Sequence, residues 1–151
     1  ALPTQLYLST NAADYESFIK INKPKYDDSW ERWNRTLDML KNLDTRTVLR
    51  ITLIRNYNDQ KEMIPAFADM FRKASPHFIE IKSYMHIGRS TNRLEHENML
   101  EMHEVKKFSE QIAKQSKIFS VMDESLVSRI SILQNNERFI DRYIPTYANT
   151  N

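Results

Sequence analysis

Two apolar, β-branched runs, "VLRITLI" at 48–54 and "FIEIK" at 78–82, flank a stretch whose apolar residues recur every third or fourth position. That pattern constrains the fold more than any other feature of the chain. Unbroken runs of this kind read as strands covered on both faces, whereas Met63, Phe67, Met70, Phe71 and Ala74 fall on one side of a helix. Pro65 then requires the helix either to start near Ile64 or to bend there. The same grammar recurs on either side. Gln5–Thr10 reads as a strand, and "DDSWERWNRTLDMLKNL" as a helix carrying Trp30, Trp33, Leu37 and Leu40 on one face, with Asp28 at the cap position and Glu31 three residues on. Val105, Phe108 and Ile112 mark a third long helix, and strands are expected at Ile118–Met122 and Ser128–Leu133.

Strands alternating with helices imply an α/β fold with mainly parallel strands and flanking helices. The chain holds about three βα units and a terminal strand pair, whereas a closed eight-fold barrel takes roughly 250 residues. The 151 residues are therefore expected to form a single unit, 1–151, that is either a small open α/β domain or a piece of a larger barrel.

Composition excludes several function classes. The chain has no cysteine, which rules out disulfides, thiol catalysis, zinc ribbons and an iron–sulfur site built from its own thiols. Its single glycine, Gly88, rules out Walker-type loops and the dinucleotide-binding glycine fingerprint. The 22 basic and 20 acidic residues give a net charge of +2, so nucleic-acid binding has to rest on local patches. No run approaches the ~18 apolar residues of a membrane span and no signal-peptide order opens the chain, so a soluble, cytoplasmic protein with no membrane partner is expected.

In parallel folds the ligand lies at the carboxyl ends of the strands. That rule places Ser9, Thr10 and Asn11, then Arg55, Asn56 and Asn58, then Tyr84, Met85, His86 and "RSTNR" (89–93) on one rim. Lys82 interrupts an apolar run, and a buried unpaired ammonium costs several kcal/mol. It is either a strand-end lysine reaching water or a group that binds an anion or forms an imine with a carbonyl substrate. Arg50 and Thr52, two residues apart, share a strand face and form either a polar layer inside a barrel or a surface stripe on an edge strand. The four histidines have no zinc-helix spacing, so no metal site is assigned. Asp27–Asp28 and Asp123–Glu124 read as a cap and a solvated turn. "KINKPKYDDSWERWNR" and "RFIDRYIPTY" interleave basic and aromatic residues, and Arg138, Phe139, Arg142 and Tyr143 either clamp single-stranded RNA or form ordinary surface and tail.

The blocks "LPTQLYLSTNA", "TRTVLRITLIRNYN", "FIEIKSYMHIGRSTNRL…NM", "HEVKKFSEQI" and "MDESLVSRISIL" resemble, in order and spacing, the later part of the archaeal radical-SAM tRNA 4-demethylwyosine synthases. The resemblance runs from Leu2 to about Ile140, and its most specific element comprises Lys82, Tyr84, Met85, Gly88, Ser90, Asn92, Arg93 and Leu94. It implies a partial (β/α) barrel of radical-SAM type. It also implies an enzyme that uses S-adenosylmethionine and a 4Fe-4S cluster to condense pyruvate-derived carbons onto 1-methylguanosine beside the anticodon of phenylalanine tRNA. Carried over, it places Ser9, Thr10, Arg50, Thr52 and Asn56 at the cofactor. Lys82 becomes the group that holds pyruvate, as an imine or by its carboxylate, and Tyr84, Met85, Ser90, Asn92 and Arg93 become substrate-binding. Gly88 would let the chain turn over the rim.

The family's CxxxCxxC cluster loop is not in this sequence. The expectation is therefore a C-terminal part of a longer polypeptide that binds no cluster through cysteine, does not react alone, and self-associates through its open sheet edge. Two other readings keep the same rim: a non-catalytic α/β RNA- or nucleotide-binding module, and a free-standing lysine aldolase.

Overall fold

The structure, a computed structural model, describes residues 1–144. In chain order its main elements are β1 (Gln5–Ser9), α1 (Tyr15–Asn22), α2 (Ser29–Leu40), β2 (Arg46–Leu53), α3 (Ile64–Ala74), β3 (Phe78–Ser83), α4 (Met102–Ser116), β4 (Phe119–Ser125) and β5 (Ile130–Asn135). The strands form one sheet of order β1-β2-β3-β5-β4. β1, β2 and β3 pair in parallel as the βα grammar requires. The terminal pair departs from it: β5 runs antiparallel to both β3 and β4. The short link Leu126–Arg129 can close only a hairpin, and Arg129 takes a positive φ of 49° to do so.

Alternation along each strand divides the sheet into two chemically different faces. Leu49, Ile51, Leu53, Ile79, Ile81 and Leu133 are fully buried on one, where they pack with Phe67, Phe71, Val105, Phe108 and Ile112 of α3 and α4. Phe67 stacks on Phe71 at 6.0 Å and meets Phe108 edge-on at 5.9 Å, which fixes α3 against α4. The opposite face carries Tyr7, Ser9, Arg50, Thr52, Glu80, Lys82 and Ile132 in register, and these stand outside the core. The apolar runs therefore do not mean helices on both sides. Val48 and Phe78, at the amino ends of their strands, line a groove with Arg142, Tyr143 and Ile144 instead.

Helix boundaries follow local chemistry. Pro65 sits in the first turn of α3, so the helix starts there rather than bending. Glu101 and Glu104 form a reciprocal capping box at α4. Asp28 does precede α2, but its carboxylate ion-pairs with Arg32 at 2.7 Å instead of capping, because its backbone (φ −87°, ψ 13°) is not extended. Helix α1 carries no long apolar stripe. Asp14 caps it by accepting the Ser17 N–H at 2.9 Å, and Phe18 packs edge-on against Trp30 of α2 at 5.2 Å.

Candidate functional site

The carboxyl ends of β1, β2 and β3 meet at one rim, stitched by side-chain amides. Asn11 accepts the Thr52 N–H at 2.9 Å. Fully buried Asn58 accepts the Ile54 N–H at 2.7 Å and donates to the Asn11 and Thr52 carbonyls, each at 2.9 Å. Asn98 ties the third rim to the second, donating to the Arg55 carbonyl at 3.1 Å while its own carbonyl accepts the Arg55 N–H. Nothing in the spacing of Asn58 or Asn98 marked them as structural; polar side chains after a strand signal either a ligand or a bridge between strand ends.

Above the rim lies the open face. Arg50 donates from Nε to Glu80 at 2.8 Å, and its guanidinium sits 4.6 Å from the Tyr7 ring centroid. One pleat toward the carboxyl end, Thr52 stands opposite Lys82, which has Ile130 on its other side. Lys82 is half-buried and, among the described residues, forms no ion pair or hydrogen bond through its ammonium. β2 is an interior strand of the sheet, so Arg50 and Thr52 are a polar layer on the open face and not an edge stripe.

Ser9 ends β1 exposed on this face, in register with Arg50. Thr10 turns the other way: it is buried, with its hydroxyl 3.4 Å from the Met70 sulfur in the helix layer. Asn56 is exposed, at a positive φ of 68°, and its N–H is held by Asp59 at 2.8 Å. Tyr84 is buried and pairs with Leu53 through its backbone, while its hydroxyl lies 3.1 Å from His86 Nδ1; Met85 is half-buried beside it. Gly88 adopts φ +64°, as a turn over the rim requires. In the following 3-10 turn, Ser90 and Thr91 donate back to the Ile87 and Gly88 carbonyls at 2.7 and 2.8 Å. Asn92 and Arg93 stay exposed. The rim loop thus offers fewer free hydrogen bonders than its composition suggests.

The C-terminal segment is bound to the body. Buried Arg46 donates to the Arg142 and Tyr143 carbonyls at 2.9 and 3.1 Å, and Arg142 ion-pairs with Asp123. Arg138 donates to the Ser75 carbonyl. Of the residues considered for clamping RNA, Phe139, Arg142 and Tyr143 are exposed and Arg138 is half-buried, and 145–151 lie outside the described residues. No group of three or more His, Cys, Asp or Glu side chains that could hold a metal occurs among the described residues. No described helix is long and apolar enough to cross a membrane.

The Wyosine base formation family matches residues 73–135, the segment holding β3, the rim loop, α4 and the hairpin. The S-adenosyl-L-methionine-dependent tRNA 4-demethylwyosine synthase of Methanocaldococcus jannaschii is 43% identical over 141 residues, covering 92% of this chain and 43% of that protein. The synthase of the same description from Pyrococcus abyssi is 37% identical, covering 90% of this chain and 39% of that protein. Among solved structures, that of TYW1 with a lysine-pyruvate adduct bound superposes with a TM-score of 0.82 at 41% identity, over 91% of this chain and 43% of that one. Archaeal TYW1 superposes with a TM-score of 0.73 at 36% identity, over 91% and 42%.

Fold and rim together define a mixed α/β chain whose residues 73–135 match the wyosine base formation family. Over about nine tenths of its length the chain is similar to the tRNA 4-demethylwyosine synthases, and it matches their C-terminal part. It spans about two fifths of the length of the relatives above.

Proposed function

We propose that this chain is the C-terminal, substrate-side part of a cytoplasmic radical-SAM tRNA 4-demethylwyosine synthase. Its sheet would form part of a (β/α) barrel, with α2, α3 and α4 outside and the open face as the interior. The reaction would convert 1-methylguanosine beside the anticodon of phenylalanine tRNA to 4-demethylwyosine with carbons from pyruvate. The observation that carries this reading is Lys82. It stands on the open face with no ion pair among the described residues, in a fold that matches a protein solved with a lysine-pyruvate adduct.

The residues of this chain do not fit a 4Fe-4S cluster, since the chain has no cysteine and no cluster of metal-ligating side chains occurs among the described residues. Cluster ligands therefore have to come from polypeptide other than these residues, and the chain alone is inactive. S-adenosylmethionine fits better, because polar side chains line the open face: Ser9 and Thr52 offer hydroxyls, and the Arg50–Glu80 pair offers fixed charges of both signs. Asn56 at the rim is the remaining contact. Thr10, turned into the core, acts by holding the end of β1 through its N–H to the Arg50 carbonyl at 2.7 Å. When bound, the cofactor supplies radical chemistry, and the protein's part is to orient substrates and exclude water.

Lys82 holds pyruvate either by its carboxylate or by attack of the neutral amine on the C2 carbonyl, which forms an imine and releases water. Asn92 and Arg93, exposed on the rim loop, face the nucleotide, with Tyr84, Met85 and Ser90 shaping the loop beneath them. The test is to incubate the full polypeptide carrying this chain with pyruvate, reduce with borohydride and map adducts by mass spectrometry. An adduct on Lys82 establishes the imine. No adduct together with a raised KM for pyruvate in Lys82→Ala establishes carboxylate binding. No adduct and an unchanged KM overturns the role given to Lys82.

A further inference from the structure

Beside the open face, the same rim holds a cavity of about 80 Å³ walled by Lys20, Lys23, Tyr57 and Arg93, with apolar lining from Ile54 and Leu94. These residues come from three separate segments: α1 and its C-cap after β1, the loop after β2, and the loop after β3. Lys20 Nζ lies 5.2 Å from the Tyr57 ring centroid. No carboxylate lines the cavity. Among the described residues, Lys20, Lys23 and Arg93 take part in no ion pair. Asp59 accepts the Asn56 N–H at 2.8 Å, and Glu95 is used in the cap of its own 3-10 turn.

Three like charges converging from three segments without a counter-charge repel one another, and the arrangement is relieved when an anion enters. The cavity has room for a phosphate group. Its position decides which phosphate. The loops that wall it also carry Asn56 and Asn92, so a strand whose target nucleoside reaches the open face would run its backbone past this point. Lys20 and Lys23 lie in "KINKPKYDDSWERWNR", a segment whose basic and aromatic residues the open face does not use.

We propose that Lys20, Lys23 and Arg93 grip a backbone phosphate of the RNA strand next to the target nucleoside, with the Tyr57 ring holding Lys20 in place. This rests on the tRNA reading above and adds to it a sequence-independent anchor, since phosphate contacts set register and orientation without reading bases.

The test measures binding of fluorescently labelled tRNA by the full polypeptide as a function of salt. It compares the wild type with the triple variant Lys20→Ala, Lys23→Asn, Arg93→Ala, in which asparagine preserves the left-handed cap at position 23. A control variant, Lys41→Ala with Lys114→Ala, removes two exposed charges from elsewhere on the surface. The expected result is at least a tenfold loss of affinity in the triple variant. The slope of log K against log salt should also become shallower by about one to two, with the control unchanged. The single variant Lys20→Glu, at an exposed helical position, gives the same comparison if the triple variant melts early. Wild type and triple variant binding tRNA equally, with equal slopes, overturns the anchor and the role given to Arg93 and leaves the rest of the tRNA reading standing. A wild type that binds no tRNA overturns both.

Discussion

Arg50 and Glu80 face each other across the β2–β3 pairing, with Nε to Oε1 at 2.8 Å, and the Glu80 side chain is only 10% exposed. A carboxylate so far removed from water is tolerated because the guanidinium satisfies it and the Tyr7 ring covers the guanidinium from one side. The pair therefore sets the polar layer next to Lys82. Truncating Glu80 leaves a half-buried guanidinium unpaired, and truncating Arg50 leaves a buried carboxylate unpaired. Glu80→Ala should cost about 1–3 kcal/mol in urea unfolding. Replacing both with apolar residues should restore much of that stability while removing the polar layer.

Asn58 should be the most sensitive polar position of the rim. Its side chain satisfies the Ile54 N–H and two carbonyls with no exposure of its own. Asn58→Ala leaves those groups unpaired and should destabilise the chain by about 2–4 kcal/mol. Asn58→Asp keeps the acceptor, loses both donated bonds and buries a charge, and should be at least as damaging. Thermal unfolding of the two variants checks this.

His77 gives stability a pH dependence. Its Nδ1 accepts the Thr47 N–H at 3.1 Å, which only the neutral ring can do. Burial, then the nearby Arg138 and Arg46, hold its pKa below the ordinary 6.5. A base with a lowered folded pKa contributes stability that is complete above its unfolded pKa and is lost as pH falls through that value toward the folded one. The melting temperature should fall as the pH drops below about 6.5, and His77→Gln should flatten that part of the curve relative to wild type.

Gly88 carries φ +64°, but a Cβ built there would meet no atom within 4 Å. The cost of substitution is therefore conformational alone, so Gly88→Ala should lose about 1–2 kcal/mol and Gly88→Asn less. A much larger loss for Gly88→Ala in calorimetry would mean that the rim loop packs more tightly than its geometry here.

The alternation of apolar runs and helical stripes made β1, β2, β3, α2, α3 and α4 legible, because burial of one face leaves its period in the sequence. The terminal strand pair was also read, but its antiparallel direction was not, since direction depends on the length of a link and leaves no period. Helix α1 escaped because its eight residues carry one fully packed aromatic, Phe18, and owe their stability to Trp30 rather than to their own pattern. At the site, Arg50 and Thr52 could be placed on one face from strand parity, whereas Lys82, on another strand, joins that face only through the β2–β3 register. Thr10 could not be placed, because the strand ends at Ser9 and the parity argument ends with it. The consumption of the Ser90 and Thr91 hydroxyls by their own backbone is likewise a property of the 3-10 turn and not of composition.

The most direct measurement is mass spectrometry of nucleosides from phenylalanine tRNA bearing 1-methylguanosine, after incubation with the full polypeptide carrying this chain, its cofactors and pyruvate. Loss of 1-methylguanosine and pyruvate-dependent appearance of 4-demethylwyosine are expected, and Lys82→Ala should diminish both. Persistence of 1-methylguanosine with the wild-type protein, or undiminished product from Lys82→Ala, would contradict this account.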